Sequence, residues 1–177
     1  PCFVLDLTAT PKKESNIISY VDAVQLKNEH MVKLPVIVYN RDSQSEVLID
    51  AIDLRNKLEE IASAEYAKTG KYIRPIALFQ AQPKGKEDAT TFEKLRDKLV
   101  DKGIPIEQIA IRTADVNELK NTDLMSPSCP IRYIITVNAL KEGWDCPFAY
   151  ILASLANKTS QVDVEQILGR ILRLPHT

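Results

Sequence analysis

The sequence predicts an α/β domain in which a parallel sheet is flanked by helices on both faces. Short apolar runs alternate with amphipathic segments along the 177 residues, the pattern of strands joined by helical crossovers. Several runs are almost continuously apolar, as strands buried on both faces must be. The length suits one compact domain. With 45% hydrophobic and 27% charged residues, the chain has the composition of a globular protein and not of a disordered one.

The elements follow in order. Pro1-Cys2-Phe3-Val4-Leu5-Asp6-Leu7 reads as a strand already under way, and Thr8-Ala9-Thr10-Pro11 as the turn that stops it. A buried strand needs neighbours, so the chain is expected to be part of a longer protein. Leu34-Pro-Val-Ile-Val-Tyr39 is β-branched and predicts a strand. Residues 46–67 predict a helix, because Val47, Ala51, Leu54, Leu58 and Ile61 recur at helical spacing. Gly70 stands where a left-handed cap is expected. Residues 74–80 predict a buried strand, and Phe92, Leu95 and Leu99 mark a helix that ends at Gly103. A short strand is expected over 107–113, a proline-containing loop over 121–130, and strands over 131–138 and 149–153. A helix over about 160–173 closes the pattern. In such sheets ligands collect at the carboxyl ends of the strands. The residues following Phe79, Ile111, Val137 and Ala153 are therefore the ones to inspect.

Composition narrows the chemistry. The net charge of −1 argues against a partner held by bulk electrostatics, although a local groove on a neutral domain can be basic. Cys2, Cys129 and Cys146 form no CxxC pair, and His30 and His176 lie at no metal-ligand spacing from them, so no metal site is expected. Reduced thiols point to the cytoplasm. No apolar run approaches the roughly 20 residues a membrane helix needs, and no signal peptide is visible.

Two segments carry chemistry. In the closing helix, Gln166, Gly169, Arg170 and Arg173 fall at i, i+3, i+4 and i+7 and share one face. Ile167, Leu168, Ile171 and Leu172 occupy the other. Glycine inside a helix costs roughly 1 kcal/mol relative to alanine; here it would permit close approach of a ligand or backbone. Two guanidinium groups beside such a gap suit a phosphate, and the arginines are expected to face the carboxyl edge of the sheet. The alternative is a surface helix with two solvated arginines. The second segment is Asn138-Ala-Leu-Lys-Glu-Gly143-Trp-Asp145-Cys-Pro147, which follows the strongest strand. Gly143 permits a tight turn, and Asp145 can accept hydrogen bonds from a sugar hydroxyl. The alternative is an ordinary polar loop over a packed Trp.

Taken together, these residues resemble the second RecA-like lobe of superfamily 2 helicases and translocases. Thr8 to Pro11 looks like motif III, Ile76 to Gln80 like motif IV, and Asn138 to Asp145 like motif V in its Glu-Gly-hydrophobic-Asp form. Gln166 to Arg173 matches the Gln-x-x-Gly-Arg-x-x-Arg pattern of motif VI at every fixed position. The runs Val137 to Tyr150 and Glu165 to Pro175 are most similar to the restriction subunit of type III restriction-modification enzymes. Excision-repair helicases share the motif V form, so the alternative is the same lobe from an excision-repair-like or other DEAD/DEAH-box helicase. One departure is visible: many members place a threonine where this chain has Val137, between Thr136 and Asn138.

The resemblance implies a C-terminal motor lobe. Residues 1–11 would end the first RecA-like lobe, 12–33 would link the lobes, and 34–177 would form the second. ATP and Mg2+ would be held mainly by the first lobe; no GxxxxGK[ST] occurs in this chain, since Gly70-Lys71 is followed by Tyr72 and Gly85-Lys86 by Glu87. Arg170 and Arg173 would act as arginine fingers. Gln166, Gly169, Gly143 and Asp145 would approach the nucleotide, and Thr8 and Thr10 would couple the lobes. Gln80, Gln82, Arg112, Thr113, Thr136 and Asn138 would contact the DNA backbone. A DNA methyltransferase subunit is a further expected partner, and the chain alone is expected to be inactive. Two rivals are a non-catalytic RecA-like interaction module, which would carry a degenerate motif VI, and a dinucleotide-binding enzyme, which would want the GxGxxG this chain lacks.

Overall fold

The computed structural model describes residues 14, 16–29, 31–33, 36–39, 41–82, 90–137, 146–155, 171, 172 and 174. A short helix, α1 (Ala23–Asn28), is opened by a capping box: Asp22 accepts from the Gln25 amide, and the Gln25 side chain accepts from the Asp22 amide. Then come α2 (Gln44–Thr69), β1 (Ile76–Gln80), α3 (Phe92–Asp101), β2 (Ile109–Arg112), β3 (Tyr133–Thr136) and β4 (Ala149–Ser154). The four strands form one parallel sheet in the order β2-β3-β1-β4. The chain is thus an α/β protein, as the alternation of apolar runs requires.

Alternation along each strand divides the core. Ala77, Phe79, Ile109, Ile111, Tyr133, Ile135, Ile151 and Ala153 pack with Leu48 and Ala51 of α2 and Leu95 and Leu99 of α3. Ile76, Leu78, Ala110, Ile134 and Ala149 pack on the opposite face with Leu119, Cys146, Phe148 and Ile171. Among the described residues α2 and α3 therefore cover the same face. The other is covered by the loop that carries Leu119, Leu124, Met125 and Ile131, and by Ile171, which is helical. Handedness explains this arrangement. The crossover from β1 to β2 passes through α3, and the path from β2 back to β3 runs in the reverse direction. Right-handed connections in reverse directions must lie on opposite faces.

α2 begins where the Ser43 hydroxyl accepts from the Glu46 amide and ends at Gly70, with φ of 71°. Four residues of the expected stripe, Val47, Ala51, Leu54 and Leu58, pack in the core, and the stripe fails at Ile61. Leu48, Ala51, Arg55 and Ala62 are buried, whereas Ile61 is 65% exposed. Length accounts for part of this: 26 residues span about 39 Å, while a six-residue strand spans about 20 Å, so the helix overhangs the sheet. Arg55 accounts for the rest. Its guanidinium lies over the Tyr133 ring, 5.3 Å from the centroid, and pairs with Glu59, which also accepts from Arg132 Nε at 2.8 Å.

Burial pushes the Glu59 carboxyl up, but Arg55 and Arg132 outweigh it and hold it below the usual carboxylate range. A carboxyl lowered in the folded state stabilises fully above its unfolded pKa of about 4.3. That contribution is lost as pH falls through the folded value. Urea denaturation at stepped pH should show Glu59→Gln less stable at neutral pH, because Arg55 is left buried without its carboxylate. The variant should also lose stability less steeply than wild type on acidification. Parallel acid limbs would remove Glu59 from the account.

The opposite face has its own buried cation. Arg74, 1% exposed, donates to the carbonyls of Ser126 (2.7 Å) and Leu124 (2.5 Å) and lies over the Phe148 ring. These bonds fasten the expected proline-containing loop beneath the sheet. One expected strand is absent. Val36, Ile37, Val38 and Tyr39 lie in no ladder and are exposed, while Leu34 and Pro35 fall outside the described residues. β-propensity describes fit to a pleated, half-buried surface, and among the described residues no neighbouring strand offers that surface to 36–39.

Candidate functional site

Parallel register brings together at the carboxyl edge what the sequence leaves far apart. Arg112 of β2 pairs with Thr136 of β3, Thr136 with Gln80 of β1, and Gln80 with Ser154 of β4. Every strand thus ends on a polar residue at one level. Each lies two residues beyond Ala110, Ile134, Leu78 or Leu152, so all four belong to the face opposite α2 and α3. The chain leaves β1 toward α3 on one face. After β3 it returns through Cys146 and Phe148 on the other. The boundary between two strands whose connections diverge is the usual ligand position in open α/β sheets. Gln80 and Thr136 stand on either side of it.

The polar atoms in this row are incompletely used. Thr136 is 1% exposed, and its Oγ1 is buried with no hydrogen-bond partner. Arg112 Nε is likewise buried and unpartnered. An unsatisfied buried donor or acceptor costs about 1–3 kcal/mol, and native structures keep few of them. The Ser154 hydroxyl donates to Gln80 Oε1 at 3.1 Å, leaving Nε2 as the donor end of that amide. A hydroxyl, a guanidinium and a carboxamide in one row can hold phosphate oxygens without reading bases.

Gln82 and Thr113 are placed differently. Gln82 Nε2 donates to the Leu155 carbonyl at 2.9 Å, and its Oε1 accepts from the Thr90 amide at 3.0 Å. Both ends of the amide brace the exits of β1 and β4 against the start of α3. Thr113 Oγ1 accepts from the amides of Asp115 and Val116 and so shapes the turn after β2. Ser154 is not among the contacts expected from the sequence. Its position directly after Ala153 is the only local signal for it, because its alignment with Gln80 is set by strand register. Thr8, Thr10, Asn138, Gly143, Asp145, Gln166, Gly169, Arg170 and Arg173 lie outside the described residues.

Ile171 shows where the closing segment is anchored. It is buried in the second core cluster, as the aliphatic face of that helix requires. Its carbonyl accepts from Lys33 Nζ at 2.7 Å, and the same Nζ donates to the Ala149 carbonyl at 2.8 Å. Ala149 is the first residue of β4. Ile171 therefore sits at the amino edge of the sheet, whereas the arginines flanking it in sequence are expected to face the carboxyl edge. The anchor of the closing helix and the polar row lie at opposite edges.

Burial pushes the Cys146 thiol up to about 11, so it is a protonated packing group and not a nucleophile. Among the described residues no group of three or more His, Cys, Asp or Glu is placed to hold a metal ion, and no helix is long and apolar enough to cross a membrane. Comparison with known proteins adds no relative: no family model, no curated protein and no solved structure matches the chain.

Proposed function

We propose that this chain is the second RecA-like lobe of a superfamily 2 motor that couples ATP hydrolysis to movement along DNA, of the kind found in the restriction subunit of type III restriction-modification enzymes. The observation that carries the reading is the polar row at the carboxyl edge, with its unpartnered Thr136 Oγ1 and Arg112 Nε. Taken with the complete Gln166-to-Arg173 pattern, it supports two functions on one lobe. The carboxyl edge holds the phosphates of a DNA strand. The closing helix presents Arg170 and Arg173 to a nucleotide held by the first RecA-like lobe.

ATP with Mg2+ supplies the phosphoryl group whose transfer to water drives the cycle. The donor set of this chain fits an anion and not a cation. Arg170, Arg173 and Gln166 are donors, and no acidic cluster stands among the described residues, so the metal falls to the first lobe. Gly169 would leave room for close approach, and Gly143 and Asp145 would approach the ribose or γ-phosphate side. Thr8 and Thr10 couple closure of the lobes to the DNA grip. A methyltransferase subunit is the partner that would direct such a motor to its sites.

The grip is testable on the 177-residue chain by fluorescence anisotropy with a mixed-sequence single-stranded oligonucleotide. Arg112→Ala should weaken binding by roughly tenfold and reduce the slope of log K against log salt by about 0.7, the value for one phosphate contact on a single strand. The loss should be alike for unrelated sequences. Unchanged affinity and slope would remove the carboxyl edge as the DNA site.

A further inference from the structure

We infer that Lys33 is a positioning residue for the arginine-bearing helix, a clasp through which the segment preceding the domain sets where Arg170 and Arg173 stand. The inference rests on the motor reading and names a control built into it. Lys33 Nζ donates to two carbonyls 22 residues apart in sequence, Ala149 at the start of β4 and the helical Ile171. The ammonium also lies 4.2 Å from the centroid of the Tyr150 ring, which fixes its approach on a third side. The backbone adds a second attachment. The Lys33 amide donates to the Leu172 carbonyl, and the Leu174 amide donates to the Met31 carbonyl. Met31 and Lys33 are thus bonded to Leu174 and Leu172, on both sides of Val32.

Three consequences follow from this geometry. A cation at the end of a helix satisfies carbonyls that have no partner within the helix and complements the negative end of its dipole. Lys33 does so from a segment more than a hundred residues away, so a distant part of the chain holds this end. Ile171 lies between Arg170 and Arg173 in sequence. Fixing its carbonyl restrains the stretch of backbone to which both arginines are covalently joined. Finally, Lys33 closes the stretch expected to link the two lobes. Any pull on that stretch is transmitted by one hydrogen bond to Ile171 and one to Leu172, the residues that lie between Arg170 and Arg173 in sequence. Movement of the linker and placement of the fingers then become one event.

The test uses DNA-stimulated ATP turnover in the protein that joins this chain to its phosphate-loop lobe. Lys33→Met keeps the length and apolar stem but removes the donors. Misplacement of a reacting group by about 1 Å from a distant substitution can cost on the order of 10²-fold. The expected result is a fall in kcat of that order, with KM for ATP within about threefold and affinity for single-stranded DNA unchanged. Lys33→Arg, which keeps the charge and the donors, should recover most of the rate. A purely structural lysine behaves differently: partial unfolding lowers kcat and DNA-binding capacity by the same factor and leaves the remaining molecules normal. That outcome overturns the inference, as does unchanged kcat in Lys33→Met. Arg170→Ala is the companion measurement. If it abolishes turnover while Lys33→Met does not, the clasp fails and the motor reading stands. If Arg170→Ala leaves turnover intact, the motor reading fails and the clasp fails with it.

Discussion

Arg170→Ala should abolish DNA-stimulated ATP turnover in the two-lobe protein while leaving ATP affinity within about tenfold of wild type. The asymmetry follows from when the contact acts. Negative charge on the transferring phosphoryl oxygens and on the leaving group is greatest in the transition state, and a guanidinium there stabilises that state more than the ground state. Fingers of this type are worth roughly 10³ to 10⁵ in turnover. Lysine at the same position restores charge but not the planar fork that binds two oxygens at once, so Arg170→Lys should also remain far below wild type. Single-stranded DNA affinity should not change. In the motor reading Arg170 meets the nucleotide, while the DNA strand is held by the polar row of Arg112, Thr136, Gln80 and Ser154 at the carboxyl edge. Pre-steady-state turnover and equilibrium nucleotide binding, measured on the same preparation, separate the two effects. Equal losses in both would make Arg170 a ground-state contact.

Phe79→Ala should destabilise the fold by about 3–5 kcal/mol, the usual cost of emptying a buried phenylalanine site. Phe79 is fully buried in β1, and its ring stacks on Tyr133 with centroids 6.3 Å apart. Its neighbours on the same strand face are Ala77 and Ala81, too small to fill the gap by shifting rotamers. The loss is a large share of the 5–15 kcal/mol that holds most domains together. For a chain of this size it corresponds to a fall in Tm of roughly 6 to 20 °C. Far-UV circular dichroism in urea should show it as a lower midpoint with an unchanged slope. Because Phe79 faces α2 and α3, whereas Gln80 faces away from them, Phe79→Ala should keep its DNA affinity where it remains folded. A loss below about 1 kcal/mol would mean that the two faces of the sheet have been misassigned.

Much of the architecture is legible in local pattern. Ile131 to Asn138 is rich in β-branched and aromatic residues, and Tyr133–Thr136 is indeed a fully buried strand. Phe92, Leu95 and Leu99 mark α3 by spacing alone, and Gly70 marks the end of α2 by its left-handed conformation. What pattern misses depends on partners. Val36 to Tyr39 has strand composition but lies in no ladder. Arg55 breaks the apolar stripe of α2, yet it is buried, because Tyr133 and Glu59 receive it from elsewhere in the chain. That α2 and α3 share one face is hidden from local pattern for a similar reason. It follows from strand order, and β2-β3-β1-β4 is a non-local fact.

The site divides in the same way. Gln80, Arg112 and Thr136 are recoverable from the rule that ligands collect at strand ends. Their alignment into one row with Ser154 needs the register. Gln82 has the composition of a contact, but its amide is spent on Leu155 and Thr90, and a sequence cannot show where a side chain finds its hydrogen bonds. Lys33 carries no motif at all. Its significance lies in the two carbonyls it reaches, 116 and 138 residues away.

The central claim is that Arg170 meets a nucleotide gripped by another lobe, and meets it most strongly in the transition state. Calorimetric binding of ADP with aluminium fluoride, which mimics the planar transferring phosphoryl group, tests this in the two-lobe protein with DNA present. For Arg170→Ala the account expects affinity for the mimic to fall by 10³-fold or more, on the order of a finger's contribution, while affinity for ADP alone stays within about tenfold. Affinity for the mimic equal to wild type in that variant would contradict it.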